Sequence, residues 1–175
     1  MGLFDQLSSV LQQYAGSTGT GQVNPQVNEH FDQVAQAAPS GTLAEGLAAA
    51  FRSSSTPDFG QMLGSMFSQS TGEQKAGILN QLLASGGAGL LSQLGGAGGG
   101  LAALIGGASQ ISAQQASQVS PEAVQQLAAH AQKSDPSVID KASAFYSQHP
   151  TLIKTLGGAA LTVAMAKMAE KTKAA

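Results

Sequence analysis

Apolar side chains recur along most of this chain at spacings of three and four residues, the period of a helix that buries one face. Leu3, Leu7, Val10, Leu11 and Tyr14 form the first such stripe, and Val27, Phe31, Val34 and Ala38 the second. Leu43, Leu47 and Phe51 follow, then Phe59, Met62, Leu63, Met66 and Phe67, then Ile78, Leu79, Leu82 and Leu83. The last third supplies Val124, Leu127 and Ala131, then Val138, Ile139, Ala142, Phe145 and Tyr146. A final run leads from Leu152, Ile153 and Leu156 to Leu161, Met165 and Met168. No segment alternates with the period of two that a half-buried strand requires. The pattern predicts an all-α fold, a bundle of about eight to ten short helices with a Gly/Ala-rich central segment.

Proline and capping residues punctuate these stripes. Asn24-Pro25, Thr56-Pro57, Ser120-Pro121, Asp135-Pro136 and His149-Pro150 each precede a periodic run. Proline suits the first helical position because its missing N–H has no intrahelical partner there. Pro39, after Ala37 and Ala38, reads as a stop. Thr42 with Glu45, Ser70 with Glu73 and Ser112 with Gln115 are spaced as capping boxes, and Gly86 as a C-cap. The proline starts at 121, 136 and 150 predict three stacked helices, since a helix-pair repeat needs about 34 residues. Residues 16–21 and 53–55 read as connectors rich in Gly, Ser and Thr.

The central run breaks from this regularity. Residues 76–121 contain no Asp, Glu, Lys, Arg or His, and residues 86–107 hold ten glycines among Ala, Leu and Ile. So long an uncharged stretch has to be covered, and glycine lets backbones approach closely while doing so. Each glycine costs a helix roughly 1 kcal/mol relative to alanine. The expectation is therefore two short helices, residues 90–94 and 101–105, broken at residues 95–100. A membrane span needs about 20 predominantly apolar residues, and Ser92 and Gln93 interrupt this one. The implied organisation is residues 1–85, a central segment 86–111 and residues 112–175, together one compact unit.

Composition narrows the function more than it names it. Only 10% of the 175 residues are charged, and there is no Cys or Trp. So little charge leaves surfaces that repel one another weakly. The first 75 residues hold six acids and two bases, the remainder four acids and six bases. Scattered lysines without interleaved aromatics do not make a nucleic-acid stripe, so no nucleic acid is expected as partner. The opening Met1-Gly2-Leu3-Phe4-Asp5 lacks the basic start and sustained apolar core of a secretion signal. Gln6 stands where a myristoylation site wants Ser or Thr.

Candidate chemistry is thin. Residues 98–103 match a loose dinucleotide-loop spacing but follow no strand. His30 lies between Glu29 and Asp32 without an i,i+4 ligand partner. His30, His130 and His149 read as exposed helix residues. No catalytic residue, cofactor or metal site is expected, and the chain reads as no enzyme. Gly60 and Gly64, Gly95 and Gly99, and Gly96 and Gly100 are small-xxx-small pairs of the kind that bring helices together.

The Met1-Gly2-Leu3-Phe4-Asp5 opening, its short amphipathic helix and the later Gly- and Leu-rich tracts resemble the YidB-like family of uncharacterised bacterial proteins. That resemblance implies a bacterial, cytoplasmic, helical protein without an assigned activity.

The reading that results is a non-enzymatic structural protein that self-associates into a homo-oligomer or filament. Leu90, Leu91, Leu94, Gly95, Gly96, Gly99, Gly100, Leu101, Leu104 and Ile105 would form the contact. One alternative is peripheral membrane association through amphipathic terminal helices, the run from Leu152 to Met168 and the N-terminal helix, with Leu3, Phe4, Leu7, Val10 and Leu11 as the membrane or partner helix. That helix carries no Lys or Arg on its polar face. A second alternative is a helical binder of an apolar small molecule, with Met62, Met66 and Phe67 as an adaptable pocket.

Overall fold

The computed structural model describes residues 3–15, 24–97 and 110–174, of which residues 3, 4, 7, 87–97 and 174 are described by backbone alone. Among the described residues the chain is all-helical. The elements are α1 (Leu3–Tyr14), α2 (Val27–Ala37), α3 (Ser40–Arg52), α4 (Phe59–Gln69), α5 (Gly72–Ala97) and α6 (Ala113–Ser117). They continue as α7 (Pro121–Ser134), α8 (Val138–Tyr146), α9 (Pro150–Ile153), a 3-10 turn (Lys154–Leu156) and α10 (Gly158–Ala174).

These helices gather into two compact units that cut across the division into 1–85, 86–111 and 112–175. One comprises Met1–Asp58 with Ser143–Ala175, the other Phe59–Ala142. A border at residue 85 falls inside α5, which is unbroken there. Of the helices at the three proline starts, α7 belongs to the second unit and α9 to the first.

In the first unit α10 is the central element, packed by α3, α1 and α2. From Ala160 to Ala169 every residue but Lys167 is buried. A helix apolar on all sides stays folded only when neighbours surround it. Burial of Leu161, Met165 and Met168 contributes roughly 1.5–3 kcal/mol each. Closeness to α3 depends on Gly46, where an added Cβ would sit 2.8 Å from the Ala164 carbonyl oxygen. The apolar run from Leu152 to Met168 is not one helix. It bends at Gly157, whose φ of 84° and ψ of 167° only glycine adopts readily.

The second unit sets α4 against α7, and α5 against α6 and α7. Phe59, Met62, Leu63, Met66 and Phe67 of α4 are all buried, with Ile78, Leu79 and Leu82 of α5 and Val124, Leu127, Ala128 and Ala131 of α7. The Gly60/Gly64 pair does bring helices together. A Cβ on Gly60 would meet the Gln125 carbonyl oxygen at 2.7 Å, and one on Gly64 the Gln125 Cγ at 2.7 Å.

Several capping expectations hold and others shift. Ser120 accepts the Ala123 N–H ahead of Pro121, and Ser112 with Gln115 closes a capping box. Thr42 lies inside α3, which starts at Ser40, so no box forms there. The box at the start of α5 joins Thr71 to Gln74, while the Ser70 hydroxyl donates to the Met66 carbonyl. Gly86 ends nothing.

Candidate functional site

The central uncharged run is carried into space by α5. Its 26 residues span about 39 Å, at 1.5 Å per residue. The helix passes through Gly86, Gly87, Gly89, Gly95 and Gly96 without a break, so residues 90–94 are not a helix of their own. Five glycines cost roughly 5 kcal/mol relative to alanine. The fully helical turns leading in from Gly72 supply the nucleus from which such weak positions are propagated.

Two side-chain arrangements fix where this stretch begins. Asn80 Oδ1 accepts the Ile111 N–H at 2.8 Å, and its Nδ2 donates to the Ile111 carbonyl at 3.2 Å. The chain entering the uncharged excursion and the chain leaving it are thereby tied together at one level of α5. One turn later, Lys141 Nζ reaches the Ser85 hydroxyl at 3.2 Å and the Asp135 carboxylate at 3.0 Å. The Ser137 hydroxyl, followed by Lys141 and the Ser137 N–H, holds the Asp135 carboxyl down at about 2.

Ala76, Ile78, Leu79 and Leu82 are the buried residues of the first half of α5. At about 100° per residue they span an arc of about 160°, which continues through Gly86, Gly89, Leu90, Gln93, Leu94 and Gly96. Leu91 stands about 60° beyond that arc. Gly95 and Gly96 lie on α5 beside these leucines, whereas Gly99, Gly100, Leu101, Leu104 and Ile105 lie outside the described residues, as do the dinucleotide-like spacing at 98–103 and the connector at 16–21.

The N-terminal helix is engaged within the first unit. Leu11 is 2% exposed, Val10 is half-buried, and α1 packs on α10 and α2. Leu3, Phe4 and Leu7 are placed on α1 by their backbone. Tyr14, also buried, sets its hydroxyl 2.8 Å from His30 Nδ1, with the two rings edge to face at 5.8 Å. His30 is therefore a packing partner of α1 rather than a bare surface imidazole. Sequence reasoning passed over this pair because the residues are sixteen apart on different helices. It also passed over Asn80, whose signal was a short amide side chain among Ile78, Leu79 and Leu82.

Met62, Met66 and Phe67 are buried among the core of α4, α5 and α7. The first unit does contain a groove of about 400 Å³ between α1 and α10, bordered by Leu11, Ala15, Ala169, Thr172 and Lys173. Both helices direct their carbonyl ends toward it, which offsets the positive charge of Lys173. Among the described residues no three His, Cys, Asp or Glu side chains are grouped to hold a metal ion, and no helix is long and apolar enough to cross a membrane. Comparison with known protein families, with curated proteins and with solved structures yields no match to this chain.

Proposed function

We propose that this chain is a non-enzymatic structural protein that self-associates, with the leucine-bearing face of distal α5 as a contact between copies. The observation that carries this reading is the continuation of α5 beyond Gly86 as an uncharged helix bearing Leu90, Leu91 and Leu94. Such a helix favours an apolar partner over water. The chain already packs helices through glycine at Gly46, Gly60, Gly64 and Gly72, and the glycines beside these leucines offer the same close approach. Low charge removes the repulsion that otherwise keeps copies apart. A cytoplasmic location and kinship with the YidB-like family belong to this proposal and rest on the Met1–Asp5 opening.

Light scattering on the native protein across micromolar concentrations is the test. The proposal expects an oligomer whose mass falls when Leu90 and Leu94 are both replaced by Glu. A monodisperse native monomer overturns it. The membrane alternative is weakened by the burial of Leu11, Leu152, Ile153, Leu161 and Met165, which already have protein neighbours. Flotation of the protein with neutral and anionic liposomes separates the two, because a self-associating protein stays with the aqueous phase.

A further inference from the structure

The first unit is closed by the last helix of the chain. Three of its helices, α1, α2 and α3, come from the first 58 residues, and α10 packs against all three. Remove α10 and the apolar faces of α1, α2 and α3 lose their common partner. Conversely, α10 is buried on nearly every side and has no core of its own. Yet one covalent connection delivers it, the short path from α9 through the 3-10 turn to Gly157.

That connection has the properties of a hinge. Gly157 is exposed, and nothing lies within 4 Å of the position a Cβ would take. Its φ of 84° with ψ of 167° is held by the bend alone, in a region open essentially to glycine only. Among the described residues it is the only one with positive φ. Straightening this residue swings α10 away without disturbing any packed side chain of the hinge itself. One ion pair fastens α10 at its rim, Lys171 with Glu45 at 2.7 Å, and it is solvent-exposed. Such a pair is weak and re-forms equally well with another copy.

We propose that α10 is exchanged between copies: the helix of one chain fills the trough formed by α1, α2 and α3 of a second chain, reciprocally. Every contact of the closed unit is then recovered across the dimer, so only the hinge changes conformation. This inference rests on the self-association reading and adds a second, independent contact to it. Exchange of α10 by itself closes a two-fold dimer. A further contact through α5 joins such dimers, which extends assembly beyond the pair.

The experiment uses the absence of cysteine from the chain. Full-length Glu45→Cys and Lys171→Cys variants are coexpressed, purified together and treated with a short bis-maleimide. Both sites are exposed and face each other across the ion pair. With exchange, roughly half of the dimers are mixed and carry one bridgeable site, giving a covalent dimer on a denaturing gel. The chain bearing both substitutions reports that the two sites are within reach. Oligomers by light scattering without a covalent dimer in the coexpressed sample overturn the exchange and leave self-association through α5 standing. A native monomer overturns both. Gly157→Ala supplies the second readout, because alanine disfavours the closed bend. The dimer fraction rises several-fold at fixed concentration if Gly157 is the hinge, and lower stability with unchanged assembly overturns it.

Discussion

Asn80 grips Ile111 with both ends of its side-chain amide, across 31 residues of sequence. The pairing imitates a step of strand ladder inside an all-helical protein. It satisfies two backbone groups at the point where an uncharged excursion returns to its parent helix. Replacing Asn80 with Ala leaves both groups without that partner at a half-buried site, and should destabilise the second unit by about 1–3 kcal/mol. Asn80→Asp keeps the acceptor and loses the donor, so its cost should be distinct from that of alanine. Urea denaturation of the three proteins checks this, and equal midpoints for native and Asn80→Ala would remove the grip from the stability of the unit.

Glycine substitutions should divide by what their Cβ meets. Gly60 faces the backbone carbonyl of Gln125 at 2.7 Å and Gly46 that of Ala164 at 2.8 Å, neither of which yields without moving a helix. Alanine at either site is expected to cost about 1–3 kcal/mol through overpacking, despite its better helix propensity. Gly64 mostly meets the flexible side chain of Gln125, so its cost should be smaller. Gly41 has nothing within 4 Å, and Gly41→Ala should stabilise by roughly 0.5–1 kcal/mol. Thermal melts of the four variants test the order, and a destabilising Gly41→Ala would break it.

The same glycines show how far sequence reasoning reached. Periodicity at Phe59, Met62, Leu63, Met66 and Phe67 placed α4 and its buried face, because an amphipathic stripe is written locally. The small-xxx-small spacing marked Gly60 and Gly64 as a contact but not its partner, which lies more than fifty residues away on α7. The central helix was misjudged for a different reason. Glycine propensity argues for a break at Gly86 or Gly95, yet a helix nucleated at the Thr71–Gln74 capping box continues through both. Asn80–Ile111 and Tyr14–His30 were invisible in sequence, since each pair is set by how separate segments meet. The leucine positions Leu90, Leu91 and Leu94 were legible; their place on one helix with Leu82 depends on α5 being continuous.

Tyr14 should make the first unit sensitive to alkali. Burial pushes its phenol above the ordinary 10.0, because the charged phenolate is poorly solvated there. The neutral form is the one the fold accepts. Stability is therefore intact below the unfolded value and is lost as pH rises from about 10 through the folded value. Tyr14→Phe removes the hydrogen bond to His30 and costs about 0.5–1.5 kcal/mol at neutral pH. It also removes the titration, so the gap between the two proteins should narrow above pH ~10. Denaturation midpoints measured at neutral and alkaline pH decide this, and parallel losses in both proteins would exclude Tyr14 as the source.

Asp135 gives the opposite dependence in the second unit. Its carboxylate accepts from Ser137 and pairs with Lys141, which lowers its pKa from 3.8 to about 2. The folded state thus prefers the charged form, and the benefit is complete above the unfolded value of 3.8. It disappears as pH falls toward 2, where folded and unfolded chains bind the same proton. Asp135→Asn still offers an oxygen to the Ser137 N–H but no charge to Lys141, so it isolates the ionic part. The variant should be less stable than the native protein at neutral pH and approach it in acid. Lys141 also donates to Ser85 on α5, so Lys141→Met should lose the tie to α5 and reduce the acid dependence, which Ser137 still supports. A difference between native and Asp135→Asn that stays constant from neutral pH into acid would show that the carboxylate charge does not stabilise the unit. A sloping difference that becomes shallower in the Lys141→Met background would assign that part of the effect to the ion pair.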